Sequence, residues 1–241
     1  GRAHQALPTS ITIGLKGLDE VLEEGKRRIA EGFRIIKLKI GVDPDLEIEK
    51  FVKLREQLGN DIKIRVDANQ GYSVEDTQAF FEATQSLDLE FMEQPLRPNN
   101  LDGMHRLSRK IREKCAADEI MQKPKDALLL AQSPKAFGIF NIKLMKCGGL
   151  SPALEIARIA QRSNIELMWG CNDESAVSIS AALHTALACP ATRYLDLDGS
   201  LDLGDDFVSG GFELKDGLLH LGKQPGLGVA IKDMSKIDLL S

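Results

Sequence analysis

Short apolar or β-branched runs alternate with longer stretches of helical periodicity along the chain to about residue 200. The runs Ser10–Gly14, Ile35–Ile40, Ile62–Asp67, Leu89–Glu93, Ala116–Ile120, Phe140–Leu144, Ile165–Trp169 and Tyr194–Asp198 have the length and composition of strands. Between them, Leu18, Val21, Leu22 and Ile29 share one helical face, and Leu46, Ile48, Phe51, Val52, Leu54 and Leu58 another. Helix starts are marked by Ser73 before Val-Glu-Asp and by Ser151-Pro152 before Ala-Leu-Glu-Ile, and Gly32 and Gly59 stand where helices should end. Eight strands alternating with seven helices predict parallel pairing through right-handed crossovers. The expected α/β architecture is a closed, TIM-like (β/α)7β barrel over residues 1–200. Residues 201–241 change character to glycine-rich, irregular chain. A hairpin runs from Gly211 to Leu221, turning at Lys215-Asp216-Gly217. This extension is expected to pack on the barrel or on a further domain.

Charged residues recur where strands should end. Lys39, Asp67, Glu93, Asp118 and Lys143 follow one another at steps of 28, 26, 25 and 25 residues. Each step is one strand–helix unit, so these side chains occupy equivalent places on neighbouring strands and converge on one mouth of the barrel. Three carboxylates pushed together repel unless a cation lies between them. With no His or Cys at these positions, the hard oxygen set Asp67, Glu93 and Asp118 points to an ion such as Mg²⁺; the alternative is three separately paired or solvated acids. Lys37 and Lys39 are two apart on one strand and share its interior face, about 7 Å from each other. Mutual repulsion and desolvation are expected to lower their pKa values and make a lysine a usable general base. Lys143 arrives from across the mouth, so a substrate would have an amine on each side. The alternative is that these lysines reach solvent or pair with the acids. Asp196 and Asp198 share a face of the eighth strand and would suit a cationic group on a substrate. Otherwise they are solvated or partner the lysines.

Other residues change the picture less. His4, His105, His184 and His220 lie away from strand ends, which argues against a His-based or zinc site. Lys63, Lys146 and the pair Gly148-Gly149 are weak candidates, Trp169 either walls the site or only packs, and Ser175 and Cys171 lack a neighbouring base. With 31 Lys and Arg against 36 Asp and Glu, the net charge of −5 argues against a nucleic-acid partner. No apolar run approaches the roughly 18 residues of a membrane span. The four cysteines are 32, 24 and 18 residues apart, which suits reduced thiols in a cytoplasmic protein. The first residues contain no apolar signal region, and the chain does not begin with Met, so it is expected to be a piece of something longer.

These residues resemble the enolase superfamily, specifically its muconate-lactonizing subgroup. The resemblance rests on Lys37-Leu-Lys39, Asp67-Ala-Asn, Glu93-Gln-Pro, Asp118-Glu, Asn141-Ile-Lys143-Leu-Met-Lys-Cys-Gly-Gly and Pro225-Gly-Leu-Gly228, in family order from about residue 10 to 230. Leu195-Asp196-Leu-Asp198 is similar to the Asp-x-Asp motif of dipeptide epimerases, where it binds the substrate's α-ammonium group. The resemblance implies one Mg²⁺ held by Asp67, Glu93 and Asp118, with Lys39 and Lys143 as the two bases of a 1,1-proton transfer and Lys37 supporting Lys39. It implies an isomerase acting on a dipeptide through an enediolate. In such a site each unit charge pair at about 4 Å contributes on the order of 4 kcal/mol at an effective dielectric near 20. It also implies an N-terminal α+β capping domain, which this chain is expected to lack, and a homo-oligomer. Two features depart from the pattern. The family's Asp-Glu-Ser is Asp118-Glu119-Ile120 here, and Trp169–Ser175 differs from the epimerases. Two other outcomes remain: a muconate-type cycloisomerase or o-succinylbenzoate synthase-like enzyme, whose substrates offer no ammonium to Asp196 and Asp198, and a catalytically incompetent truncated barrel.

Overall fold

The computed structural model describes residues 1–232. Eight strands form one parallel sheet in sequence order: β2 (Ile11–Ile13), β3 (Ile35–Lys39), β4 (Lys63–Asp67), β5 (Leu89–Glu93), β6 (Cys115–Ala117), β7 (Ile139–Ile142), β8 (Glu166–Gly170) and β9 (Thr192–Asp196). A parallel bridge between Thr9 and Leu195 joins the last strand to the first, so the sheet closes as a barrel. The Ser10 amide donates to the Leu195 carbonyl at 3.2 Å across the same seam, and the Leu197 amide donates to Thr9 Oγ1 at 2.9 Å.

The crossovers carry α1 (Leu18–Ala30), α2 (Pro44–Leu58), α3 (Val74–Thr84), α4 (Leu101–Arg106), α5 (Arg109–Glu113), α6 (Pro124–Leu130), α7 (Leu144–Cys147), α8 (Leu150–Arg162) and α9 (Ala176–Ala188). Two of the seven expected helices are thus broken in two, and the number of crossovers is unchanged. The helix starts have local causes. Asp43 accepts from the Leu46 amide before Pro44, and Ser73 and Asp76 form a reciprocal capping box. Gly59 ends α2 with φ +74°, a conformation costly for any residue with a Cβ.

Residues before and after the barrel meet on its outside. The strand β1 (Ala6–Pro8) pairs with β12 (Leu218–Leu221), which also pairs with β11 (Phe212–Lys215). The turn between β11 and β12 has Asp216 at φ +52° and Gly217 at φ +72°, the left-handed pair that a two-residue hairpin requires. A second short pair joins β10 (Val208–Gly210) to β13 (Val229–Ile231). These segments lie against α9, whose apolar surface is buried around most of its circumference. Residues 233–241 of the expected extension lie outside the described residues.

The strand boundaries differ from expectation at three functional positions. The sixth strand stops at Ala117, so Asp118 is the first residue beyond it. Lys143 follows β7 as the residue preceding α7, and Asp198 lies two residues past β9. Each strand stops where the chain begins to turn toward its helix, which leaves these side chains on the rim rather than on the pleat.

Candidate active site

At the carboxyl ends of the strands lies a cavity of about 620 Å³, lined among others by Lys37, Lys39, Asp118, Lys143, Asp196 and Asp198. Lys37 stands at its floor, 3% exposed. Its ammonium lies 2.7 Å from Asp196 Oδ2, 2.8 Å from Glu93 Oε2 and 3.1 Å from Asp67 Oδ2. Lys39, one pleat higher, donates to Asp67 Oδ2 at 2.8 Å and to Asn69 Oδ1 at 2.6 Å. From the opposite strand, Lys143 donates to Asp118 Oδ2 at 2.8 Å and to Asn172 Oδ1 at 3.4 Å. The acids of β4 and β5 and the residue after β6 therefore reach one mouth, but each meets an ammonium group. Among the described residues, no three acidic, histidine or cysteine side chains form a ready-made cation cage. Asp67 and Glu93 turn to Lys37, while Asp118 turns to Lys143 and Lys146.

The expected lowering of the Lys37 pKa is corrected. Burial alone would lower Lys37, yet the negative charges of Asp196, Glu93 and Asp67 outweigh it and hold the group well above its ordinary value. Lys143 is likewise opposed by burial and raised by Glu93 and Asp118. The physical reason is distance: carboxylates lie within about 3 Å of these amines. Asp118 is raised by burial, but Lys146 and Lys143 bring it below the usual carboxylate range.

Several residues that carry only a weak sequence signal, or none, also build this geometry. Lys146 is nearly buried, and its ammonium reaches Asp118 Oδ1, the Asp118 carbonyl at 2.7 Å, the Asn141 carbonyl at 3.2 Å and the Met121 carbonyl at 3.3 Å. Its own pKa is lowered by burial. The signal was present in the three-residue spacing from Lys143, because the single turn of α7 folds the second lysine back toward the mouth. Asn69 has φ +41°, a left-handed conformation that Asn tolerates, and links Lys39 to Glu119 Oε1 at 3.2 Å. Asn141 donates to Glu93 Oε1 at 2.6 Å, and Gln94 Oε1 accepts from the Asp118 amide at 2.9 Å. The loops after β3 and β4 touch so closely that a Cβ on Gly41 would lie 2.1 Å from the Ala68 carbonyl oxygen.

Other candidates fall elsewhere. Trp169 is buried, donates to Thr192 Oγ1 at 3.0 Å and does not line the cavity, so it packs. Ser175 caps α9. Cys171 lines the cavity, but burial pushes its thiol up, which suits no nucleophile. No histidine lines the cavity. All four thiols are free, and no described helix is long and apolar enough to cross a membrane.

The donor chemistry fits a hard divalent cation. Asp67, Glu93 and Asp118 offer only carboxylate oxygens, and all three are buried. Glu93 Oε2 meets only the Lys37 ammonium, at 2.8 Å, so a cation ligated by this oxygen would compete with that one lysine.

Comparison with known proteins places this arrangement. The chain is 52% identical over 229 residues to an L-Lys-D/L-Arg epimerase of Desulforapulum autotrophicum, covering 95% of this chain and 64% of that protein. It is 51% identical over 233 residues to an L-Lys-D/L-Arg epimerase of Methylococcus capsulatus, covering 97% and 65%. It thus spans just under two thirds of the length of these relatives. The crystal structure of the Methylococcus capsulatus dipeptide epimerase with Mg and the dipeptide L-Arg-D-Lys superposes with a TM-score of 0.93 at 51% identity, over 95% of this chain and 65% of that one. The substrate-liganded L-Ala-D/L-Glu epimerase of Bacillus subtilis superposes with a TM-score of 0.89 at 28% identity, over 95% and 64%. Residues 20–235 match the enolase C-terminal domain-like family, and the chain belongs to it.

Proposed function

We propose that this chain carries the catalytic barrel of a Mg²⁺-dependent dipeptide epimerase, an isomerase that inverts the α-carbon of the C-terminal residue and prefers cationic dipeptides. The observation that carries the reading is the placement of Lys39, at the end of β3, and Lys143, just past β7, in one cavity, each paired with a strand-end carboxylate. A 1,1-proton transfer needs this arrangement: one amine removes the α-proton from one face while the other, as ammonium, delivers a proton to the opposite face. Mg²⁺ held by Asp67, Glu93 and Asp118, when bound, supplies positive charge opposite the substrate carboxylate as it becomes an enediolate, and occupies the acids that otherwise engage the lysines. Lys37, locked among three acids, keeps its charge beneath the reacting carbon and supports Lys39. Asn69 holds the Lys39 amine in place through its left-handed turn, and Asn172 does the same for Lys143. At the rim, Glu119 and Asp173 add negative charge, as does Asp202, which also pairs with Arg28 at 3.3 Å, and this charge suits cationic side chains on the dipeptide. The two relatives at 51–52% identity, both named L-Lys-D/L-Arg epimerases, support that substrate class.

The test is solvent exchange. Incubated with Mg²⁺ in D₂O, the protein is expected to place deuterium on the α-carbon of the C-terminal residue of Lys- and Arg-containing dipeptides and to yield both epimers, read by NMR. Acidic dipeptides should react more slowly. Turnover of a muconate or succinylbenzoate precursor with no dipeptide exchange would replace this reading with one of the other reactions of the subgroup.

A further inference from the structure

Of the carboxylates Asp67, Glu93 and Asp118, only the last lies outside the sheet ladder. Asp67 is in register with Lys39 and Glu93, and Glu93 with Ala116, whereas the pairing of β6 with β7 ends at Ala117 and Phe140. Asp118 is nonetheless 2% exposed, and both of its carboxylate oxygens are engaged. Something other than a strand must fix it.

Two side chains take the place of the ladder. Gln94 Oε1 accepts from the Asp118 amide at 2.9 Å and from the Ile120 amide at 3.3 Å. Lys146 holds the other side. Its ammonium donates to Asp118 Oδ1 and to the carbonyls of Asp118, Met121 and Asn141, so one cation ties the loop after β6 to the strand that leads into Lys143. Three N–H donors meet four acceptors, and every proton of the group is committed. Although Lys146 borders the cavity, its side chain is only 14% exposed. To trade a proton with a ligand it would have to abandon buried acceptors, which is costly.

Lys143 is bonded differently. It has Asp118 Oδ2 at 2.8 Å and Asn172 Oδ1 at 3.4 Å, two acceptors for three donors. With Oδ1 taken by Lys146, Oδ2 is the oxygen that Asp118 turns to Lys143. The two lysines also share the turn of α7, where the Lys146 amide donates to the Lys143 carbonyl at 3.1 Å. On the other side of the site, Lys39 bonds to Asp67, which the ladder already holds, and to Asn69.

Building on the epimerase reading above, we propose that Lys146 is a positioning residue for one face of the reaction. It clamps Asp118 beyond the end of β6, aims Oδ2 at Lys143, and thereby sets where the Lys143 amine stands. The Lys39 face does not depend on it.

The experiment joins backbone amide exchange to α-proton exchange. In Lys146→Met the amides of Asp118 and Met121 should exchange about tenfold or more faster than in the wild type, with that of Glu93 within about twofold. With saturating Mg²⁺ in D₂O, the variant is then given L-Arg-L-Lys and L-Arg-D-Lys separately, and initial rates are read by NMR. Exchange should slow about tenfold or more for one epimer and about twofold or less for the other. Asn69→Ala, which loosens Lys39, should slow the opposite epimer. Lys146→Arg keeps the charge and the donors and should return the affected epimer to within about threefold of the wild type. Should Lys146→Met fail to fold by circular dichroism, Lys146→Gln carries the same comparison. A role in stability alone would slow both epimers alike. Equal loss for the two epimers, or unchanged amide exchange at Asp118 and Met121, overturns the proposal. Faster amide exchange in the variant, with no α-proton exchange even in the wild type, would instead overturn the epimerase reading and leave the clamp on Asp118 standing.

Discussion

Two layers of the same barrel lumen have opposite chemistry. The lower layer, formed by Phe91, Ala116, Ile139, Met168 and Tyr194, is a separate apolar cluster inside the barrel. Its one cation, Arg65, is spent on Glu90, Ser10, a carbonyl and two aromatic faces. Two residues further along, on five of the strands, the lumen becomes polar and mostly ionic: Arg65 gives way to Asp67, Phe91 to Glu93, Ala116 to Asp118 just past its strand, Ile139 to Asn141 and Tyr194 to Asp196. Because side chains alternate with period two, each pair stacks directly along the barrel axis. The lower layer is a plug that holds the strands at fixed spacing, and the upper layer uses that spacing to hold alternating carboxylate and ammonium groups out of water. The difference shows how a fold tolerates a buried set of charges. Rigidity is supplied one pleat below the chemistry.

The largest effects are expected above the plug. Lys39→Ala and Lys143→Ala should each reduce epimerisation by up to about 10⁴-fold, equivalent to about 5.5 kcal/mol, with circular dichroism unchanged. At most one of them should still exchange the α-proton, and with a single enantiomer; near-normal epimerisation in either would remove that lysine from the reaction. Within the plug the penalty should fall on folding instead. Phe91→Ala removes a ring wholly excluded from water and is expected to cost about 3–5 kcal/mol in urea unfolding. The fraction that stays folded should keep its turnover, and a catalytic loss without a stability loss would mean that the two layers are not separable.

The smallest effect separates the two aspartates by pH. Burial and the charge of Asp196 raise Asp198 to about 6, against the lowering influence of the Thr12 side chain, Lys37 and the Thr12 amide. A carboxyl that holds its proton more tightly when folded stabilises fully below the unfolded value near 3.9, and that contribution is lost as pH rises through about 6. Between about pH 4 and 6 the unfolding free energy should therefore decline, by about 1–3 kcal/mol, and Asp198→Asn should flatten that interval. Asp196 behaves inversely. Burial would raise it, but Lys37, Ser10 and Arg65 bring it to about 2, so its stabilisation is present above the unfolded value and is lost only on acidification toward pH 2. A slope from pH 4 to 6 that survives Asp198→Asn would assign it to another group.

Much of the barrel was legible because its signals are periodic. The nearly constant steps from Lys39 to Lys143 reveal equivalent strand ends, and that equivalence does not depend on knowing which residue ends each strand. This is why the spacing carries Asp118 to the mouth although it lies just beyond its strand. The state of the lysines was not legible in the same way. It is set by a balance between burial and carboxylate distances, and periodicity carries no distances of a few ångströms. Lys146 carries a weak sequence signal because a loop position says nothing about direction until the turn of α7 aims it. Ser10 was unreadable as a partner of Asp196 because the two are separated by 186 residues and meet only where the barrel closes. The hairpin at Asp216-Gly217, by contrast, is a local matter of backbone conformation and was visible at once.

The seam between β2 and β9 is the contact of longest sequence separation in the cylinder, and chain closure of that length is made late and costs most entropy. Ser10 and Thr12 on one side, and Asp196 and Asp198 on the other, bond across it. The recognition end of the pocket therefore comes into being only when the first and last staves join. An occupant bridging that joint would act as a latch, adding RT ln(1 + [L]/Kd) to the work of opening it, so substrate supply and resistance to local opening would rise together in this molecule.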